Sequence, residues 1–182
     1  EVSSSDLVAS DWVASLPAEA AWVSWSGRLK ITHWSAHIGD EMIEDAGAER
    51  VDFTSEALEA LGAYQHGWLR IYGGGGVVFR SSLENEIQLG PNFSDDYLLR
   101  GGADARWRSP NRDDVTLNAG LDWQTNDRTG WESRISAQVG LTIHDGPRSA
   151  SLLLLFHDGP SPMGQFFLTN ERYWGFEISL EP

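Results

Sequence analysis

The chain has 182 residues and a formal net charge of -14, a length that suits one ordinary domain. The charge argues against nucleic acid as a partner, because binding there is led by Lys and Arg neutralising phosphates. The absence of cysteine leaves neither a disulfide framework nor a thiolate metal site. No apolar stretch approaches the roughly 20 residues that a membrane helix needs; the densest run is Leu152 to Phe156. A helical membrane protein is excluded, but a β-barrel is not, since barrel strands turn only every second residue toward lipid.

In chain order, the first predicted strand runs from about Asp6 to Leu16, with Val8, Trp12, Ala14 and Leu16 on one face and Pro17 near its end. The second runs from about Trp25 to His37, and a long acidic connection, Gly39 to Arg50, follows. The third starts near Val51 and ends near Tyr64. Its alternation is poor, and Ser55 to Leu61 also reads as a short helix. Gln65, His66 and Gly67 make a tight turn into the fourth, Trp68 to Phe79, which carries Gly73, Gly74, Gly75 and Gly76. Glycine there suits crowded or strongly bent strands. It is not a phosphate loop, which would need a following Lys and a Ser or Thr. Arg80 to Asp96 is a long polar connection.

The fifth strand spans Tyr97 to Arg108, and Ser109 to Arg112 forms the next turn. The sixth spans Val115 to Gln124, followed by a loop with Asn126, Asp127 and Gly130. The seventh spans Glu132 to His144, and Asp145, Gly146 and Pro147 turn the chain into the eighth, Ala150 to His157. A long loop, Asp158 to Glu171, leads to the last strand, Arg172 to Leu180. With no linker, low-complexity tract or repeat, residues 1–182 read as a single domain.

Side chains in a strand alternate with a period of two. Val115, Leu117, Ala119, Leu121 and Trp123 therefore share one face of the sixth strand, and Thr116, Asn118, Gly120 and Asp122 the other. In the seventh, Ile135, Ala137, Val139, Leu141 and Ile143 oppose Arg134, Ser136, Gln138, Gly140 and Thr142. In the fifth, Leu99, Ala103 and Trp107 oppose Arg100, Asp104 and Arg106. These charges are too many for a packed core and suit a wet lumen. Arg100, Asp104, Arg106, Asp122, Arg134 and Gln138 are thus expected to line the interior.

Apolar outside, polar inside, with short and long connections alternating, is the pattern of an outer-membrane β-barrel. Short turns then lie in the periplasm and long loops outside the cell. Trp25, Trp68 and Trp107 fall at the periplasmic interface and Trp123, Trp131 and Trp174 at the outer one, where aromatic rings gather. Bacterial barrels normally have an even number of strands. The odd count of about nine, and a start at Glu1 without a signal-peptide pattern, lead to the expectation that N-terminal strands are missing. The alternative architecture is a soluble β-sandwich with both inner faces apolar, acting as a binding module.

Three segments carry a family resemblance: His33-Trp34-Ser35-Ala36-His37-Ile38-Gly39-Asp40-Glu41, Tyr72-Gly73-Gly74-Gly75-Gly76, and His157-Asp158-Gly159-Pro160-Ser161-Pro162-Met163-Gly164-Gln165-Phe166 followed by Tyr173-Trp174-Gly175. In order and spacing the chain resembles an uncharacterised family of Gram-negative outer-membrane proteins, classed only as a domain of unknown function. The resemblance implies an outer-membrane barrel surrounded by outer-membrane lipid, with a longer N-terminus, and it implies no activity. Membership of a larger membrane assembly would leave no mark in the sequence.

Two constellations bear on chemistry. His33 and Ser35 lie two apart on a strand, on the face that carries Gly27, Leu29 and Ile31. A histidine beside a serine can act as general base and raise its nucleophilicity. The pair is similar to the His-x-Ser of outer-membrane phospholipase A and the lipid A deacylases, although Ala36 stands where those enzymes have asparagine. No residue orienting the histidine is identifiable. The competing reading places both side chains in the headgroup layer without chemistry. His37, Asp40 and Glu41 could gather around a divalent cation, the carboxylates being the hard oxygen ligands that suit calcium, but an ordinary strand-to-loop exit with solvated acids is the favoured reading, and no cofactor is expected. Asp158 to Phe166, with Pro160 and Pro162, is a defined loop, either a lid or a structural rim.

Overall fold

The computed structural model describes residues 9–38, 52–84, 96–162 and 169–181. They form nine strands: β1 (Ala9–Trp22), β2 (Trp25–Ile38), β3 (Asp52–His66), β4 (Leu69–Glu84), β5 (Asp96–Ser109), β6 (Arg112–Asn126), β7 (Arg134–Asp145), β8 (Arg148–Pro160) and β9 (Asn170–Glu181). Each strand pairs antiparallel with the next in a single sheet of order β1 to β9. The fold is an all-β up-and-down meander, as the alternation predicts. A two-sheet sandwich is not found. β1 and β9 are the two edges of the sheet and do not pair with each other, so the meander is an open, partial barrel.

The predicted asymmetry of the rims holds. Two residues separate β1 from β2, β3 from β4, β5 from β6 and β7 from β8. Gly67 and Gly146 take the left-handed conformation in two of these turns, with φ of 57° and 60°, which suits tight hairpins. At the other rim the connections are longer. Between β6 and β7 a short 3-10 turn, Asp127–Thr129, is capped by the Asn126 side chain, which accepts from the Thr129 N–H at 3.0 Å.

Several boundaries differ from the sequence expectation, each for a physical reason. β1 runs on to Trp22, through Pro17. A proline lacks an N–H for the ladder but is tolerated at a sheet edge, and β1 is an edge. The stretch Ser55 to Leu61 is strand, not helix. Its alternation reads poorly because both faces mix polar and apolar residues, Ser55, Ala57 and Glu59 on one and Glu56, Leu58 and Ala60 on the other; the β3–β4 register also shifts between Glu56 and Ala57. Phe79 is the unpaired extra residue there, a β-bulge.

The two faces of the sheet are chemically opposite. The convex face carries Leu99, Leu117, Leu121, Val139, Leu141, Leu152, Leu154, Phe176 and Ile178, all exposed. Among the described residues the buried hydrophobic side chains are only Ala36, Ala63 and Val78. Apolar burial is the main favourable term in folding a soluble domain, and this chain leaves most of its large apolar side chains outside. The concave face holds the charged and hydrogen-bonded residues.

Candidate functional site

The register stacks the interior side chains in rows across neighbouring strands. One row runs Tyr72, Gly102, Asp122, Ser136, His157 and Tyr173 from β4 to β9. Gly102 has no side chain, so the Tyr72 ring lies across β5. Its hydroxyl donates to Asp122 Oδ2 at 2.5 Å, two strands away. A Cβ on Gly102 would run into that phenol and into the Leu121 carbonyl. The next row toward the long-loop rim holds Gly74, Arg100, Gln124 and Arg134. Arg100 Nε donates to the same Asp122 Oδ2 at 2.8 Å. The Gln124 amide donates to Asp122 Oδ1, and Arg134 donates to the Gln124 amide oxygen.

Toward the short-turn rim, Arg70 Nη1 donates to Asp104 Oδ2 at 2.8 Å, and Gln138 lies over Gly120, close to where a Cβ would stand. Asn118 donates to Thr142, which in turn bonds Ser151 at 2.8 Å. Arg106 occupies the same face opposite Asn118 and is exposed. On the other flank Glu59 lies 3.6 Å from Arg28 and 3.3 Å from Lys30, and Asp96 pairs with Arg128. At the far flank His157 is buried, accepts or donates at Ser136 Oγ over 3.2 Å, and stacks on Tyr173 with ring centroids 4.8 Å apart.

Five of the six residues predicted for the lumen, Arg100, Asp104, Asp122, Arg134 and Gln138, thus lie in one connected set of rows, with Arg106 at its edge. Alternation carries Gln124 onto the face of Asp122, but Tyr72, Arg70, Glu59 and Lys30 are not read from single strands as joining them. Tyr72 and Arg70 alternate onto the same face, a signal masked by the four glycines that follow.

The rows also explain the glycines of β4. A Cβ on Gly74 would collide with the Ala60 carbonyl and Leu61, and one on Gly76 with the Leu58 carbonyl.

His33 and Ser35 sit on the convex face, near the long-loop rim, in a polar interruption of the apolar surface. His33 is opposite Glu56 in the β2–β3 register, and Ser35 opposite Thr54. His33 Nδ1 is 3.7 Å from Glu56 Oε1, and Arg80 Nη1 is 3.8 Å from the same oxygen. Pairing with β3 thus places the Glu56 carboxylate beside the His33 ring, a neighbour that spacing along β2 alone does not reveal. Of the metal candidates, the side chain of His37 and the whole of Asp40 and Glu41 lie outside the described residues, as do Met163 to Phe166 of the third motif. Among the described residues no three His, Asp or Glu side chains gather in a way that would hold a metal ion. The described ends of the β8–β9 loop are held by Ser161 N–H donating to the Thr169 carbonyl at 2.8 Å, and by Arg172 donating to Asp158 at 2.8 Å.

A family model described as "Protein of unknown function (DUF1207)" matches residues 1–181. The chain belongs to this family. No curated protein and no solved structure matches it. For DUF1207 the present fold supplies an architecture, an open antiparallel meander with a charged concave face. The match spans both the interior rows and the His33–Glu56 patch.

Proposed function

We propose that the chain forms most of the wall of an integral outer-membrane β-barrel, with a structural or passage role and a polar lumen. The observation that carries this reading is the inversion of the usual burial. Large apolar side chains cover the convex face, while the ionic network lies inside. In a Gram-negative outer membrane such a surface faces lipid. On β7 the alternating apolar positions run from Ile135 to Ile143, which suits the ~9–11 residues of a membrane-spanning strand. Exposed tryptophans cluster at both ends of the strands. Trp22, Trp25, Trp68 and Trp107 lie toward the short turns, and Trp12, Trp123, Trp131 and Trp174 toward the long loops. These are the interface positions such rings prefer.

The test is tryptophan fluorescence of the chain folded into phosphatidylcholine vesicles with brominated acyl chains. Strong quenching relative to unbrominated vesicles is expected. Emission that ignores bromine would overturn the reading. Single-channel conductance in planar bilayers then separates passage from a plugged, structural wall.

A second reading, lipid-ester hydrolysis, is favoured by one specific observation, the approach of Glu56 to His33. Serine, histidine and an orienting acid are the parts of an activated nucleophile. Ser35 would attack the ester carbonyl while His33 takes its proton and returns it to the departing alcohol as the C–O bond breaks. Water would then release the fatty acid from the acyl-serine, and Glu56 would hold the imidazole. The patch lies on the convex face near the long-loop rim, where an ester in the outer leaflet would reach it. Release of fatty acid from mixed phospholipid vesicles, lost in Ser35→Ala and reduced in Glu56→Gln, is the expected result. No release by the wild type ends this reading and leaves the barrel intact.

A further inference from the structure

Inside the long-loop half of the sheet lies a cavity of about 190 Å³, lined from β2 around to the end of β8. It is smaller than the pockets that take drug-sized ligands. Although the concave face is otherwise polar, the walls here are largely apolar, with Trp34, Ala57, Val78, Leu98 and Pro160.

The charges around it do not balance. Glu59 is answered by two cations, Arg28 and Lys30. Asp96 is answered by Arg128, and deeper in the lumen Asp122 is answered by Arg100. Glu132, the remaining acid of the lining, is exposed. Arg134 also lines the cavity, and the partner it has is the uncharged amide oxygen of Gln124. Among the described residues no carboxylate makes an ion pair with it. A guanidinium has five N–H donors in a planar fork, suited to a carboxylate held by two parallel bonds. One donor is occupied by Gln124, which leaves the fork short of an anion beside an apolar chamber.

We propose that this cavity binds a small amphiphilic organic acid, its carboxylate on Arg134 and its apolar body against Trp34, Val78 and Leu98. At Arg134 a cation would be repelled, and a fully apolar ligand would leave the guanidinium unanswered. The site lies on the concave face, so it does not depend on what covers the convex one. Loss of the membrane reading would leave it standing.

The test is calorimetric titration of the folded chain with 3-phenylpropanoate and, separately, with its neutral counterpart 3-phenylpropanamide. Saturable one-site binding of the acid is expected, with the amide at least tenfold weaker. Arg134→Gln should weaken the acid at least tenfold and leave the amide unchanged, and Val78→Trp, which fills the chamber, should weaken both. The acid–amide comparison needs only the wild type, so it stands if either variant fails to fold. Equal binding of acid and amide, binding of neither, or full retention of acid binding in Arg134→Gln would each overturn the proposal.

Discussion

Asp122 is the hub of the interior, and removing it should cost more than removing any single one of its hydrogen bonds. Its carboxylate receives Tyr72 at 2.5 Å, Arg100 at 2.8 Å and the Gln124 amide. Hydrogen bonds to a charged group contribute about 1.5–3 kcal/mol each. The Arg100 and Asp122 side chains are 28% and 17% exposed, so solvent screens them in part and the lower end applies. Tyr72→Phe removes one bond and keeps the ring over Gly102, for a loss of about 1.5 kcal/mol. Asp122→Ala removes all three and leaves Arg100 without its acid, close to Arg134. Stranding one partner of a buried pair costs about 3–5 kcal/mol, and the partial exposure points to about 3. The two changes act on one hydrogen bond, so they should not add. Introduced into the D122A background, Tyr72→Phe should cost under about 0.5 kcal/mol. The assay is urea unfolding of the four proteins in the medium in which the wild type folds, read by the midpoint at constant slope. Strict additivity, or a D122A protein within about 0.5 kcal/mol of wild type, would refute the idea that Asp122 holds β4, β5 and β6 together.

The remaining expectations are narrower. Val139, 56% exposed on the convex face, lies mid-strand on β7; Val139→Arg should destabilise the chain in vesicles by about 2–4 kcal/mol, whereas on a water-facing surface it would cost under about 0.5. Gly102→Val puts a side chain where the Tyr72 phenol lies, and overpacking of that kind costs about 1–3 kcal/mol by urea midpoint; it should also cancel most of the effect of Tyr72→Phe. At the long-loop rim, the hydrogen bond from Arg172 holds the Asp158 carboxyl below the ordinary carboxylate range. The folded value is the lower one, so the contribution is present above the unfolded value of about 4 and fades as pH falls through the folded value. The carboxyl carbon shift of Asp158, followed by NMR, should titrate below that of an unfolded peptide and return upward in Arg172→Gln.

How much of this was legible in the residues follows from what each inference needs. Alternation is a property of one strand, so Leu117 to Trp123 against Asn118 to Asp122 could be assigned to opposite faces without knowing any partner. The two-residue hairpins are likewise local, and Gly67 and Gly146 mark two of them. What alternation cannot give is which residue stands beside which. Glu56 reaches His33 only through the β2–β3 register, in a stretch where polar and apolar residues are mixed on both faces. Tyr72 reaches Asp122 only because the residue between them, on another strand, is a glycine. Pro17 suggested the end of β1, because its tolerance depends on β1 being a sheet edge, a fact of the whole fold.

The central claim is that the convex face is built for an apolar surround, and the most direct measurement is refolding from urea with and without detergent micelles. Circular dichroism reports the strands, and gel migration of unheated against heated samples reports a compact barrel wall. Strand signal and heat-dependent migration are expected only when micelles are present. A chain that refolds in plain buffer to the same spectrum, stable and monomeric, would contradict it, because so much exposed apolar surface could not then be facing water.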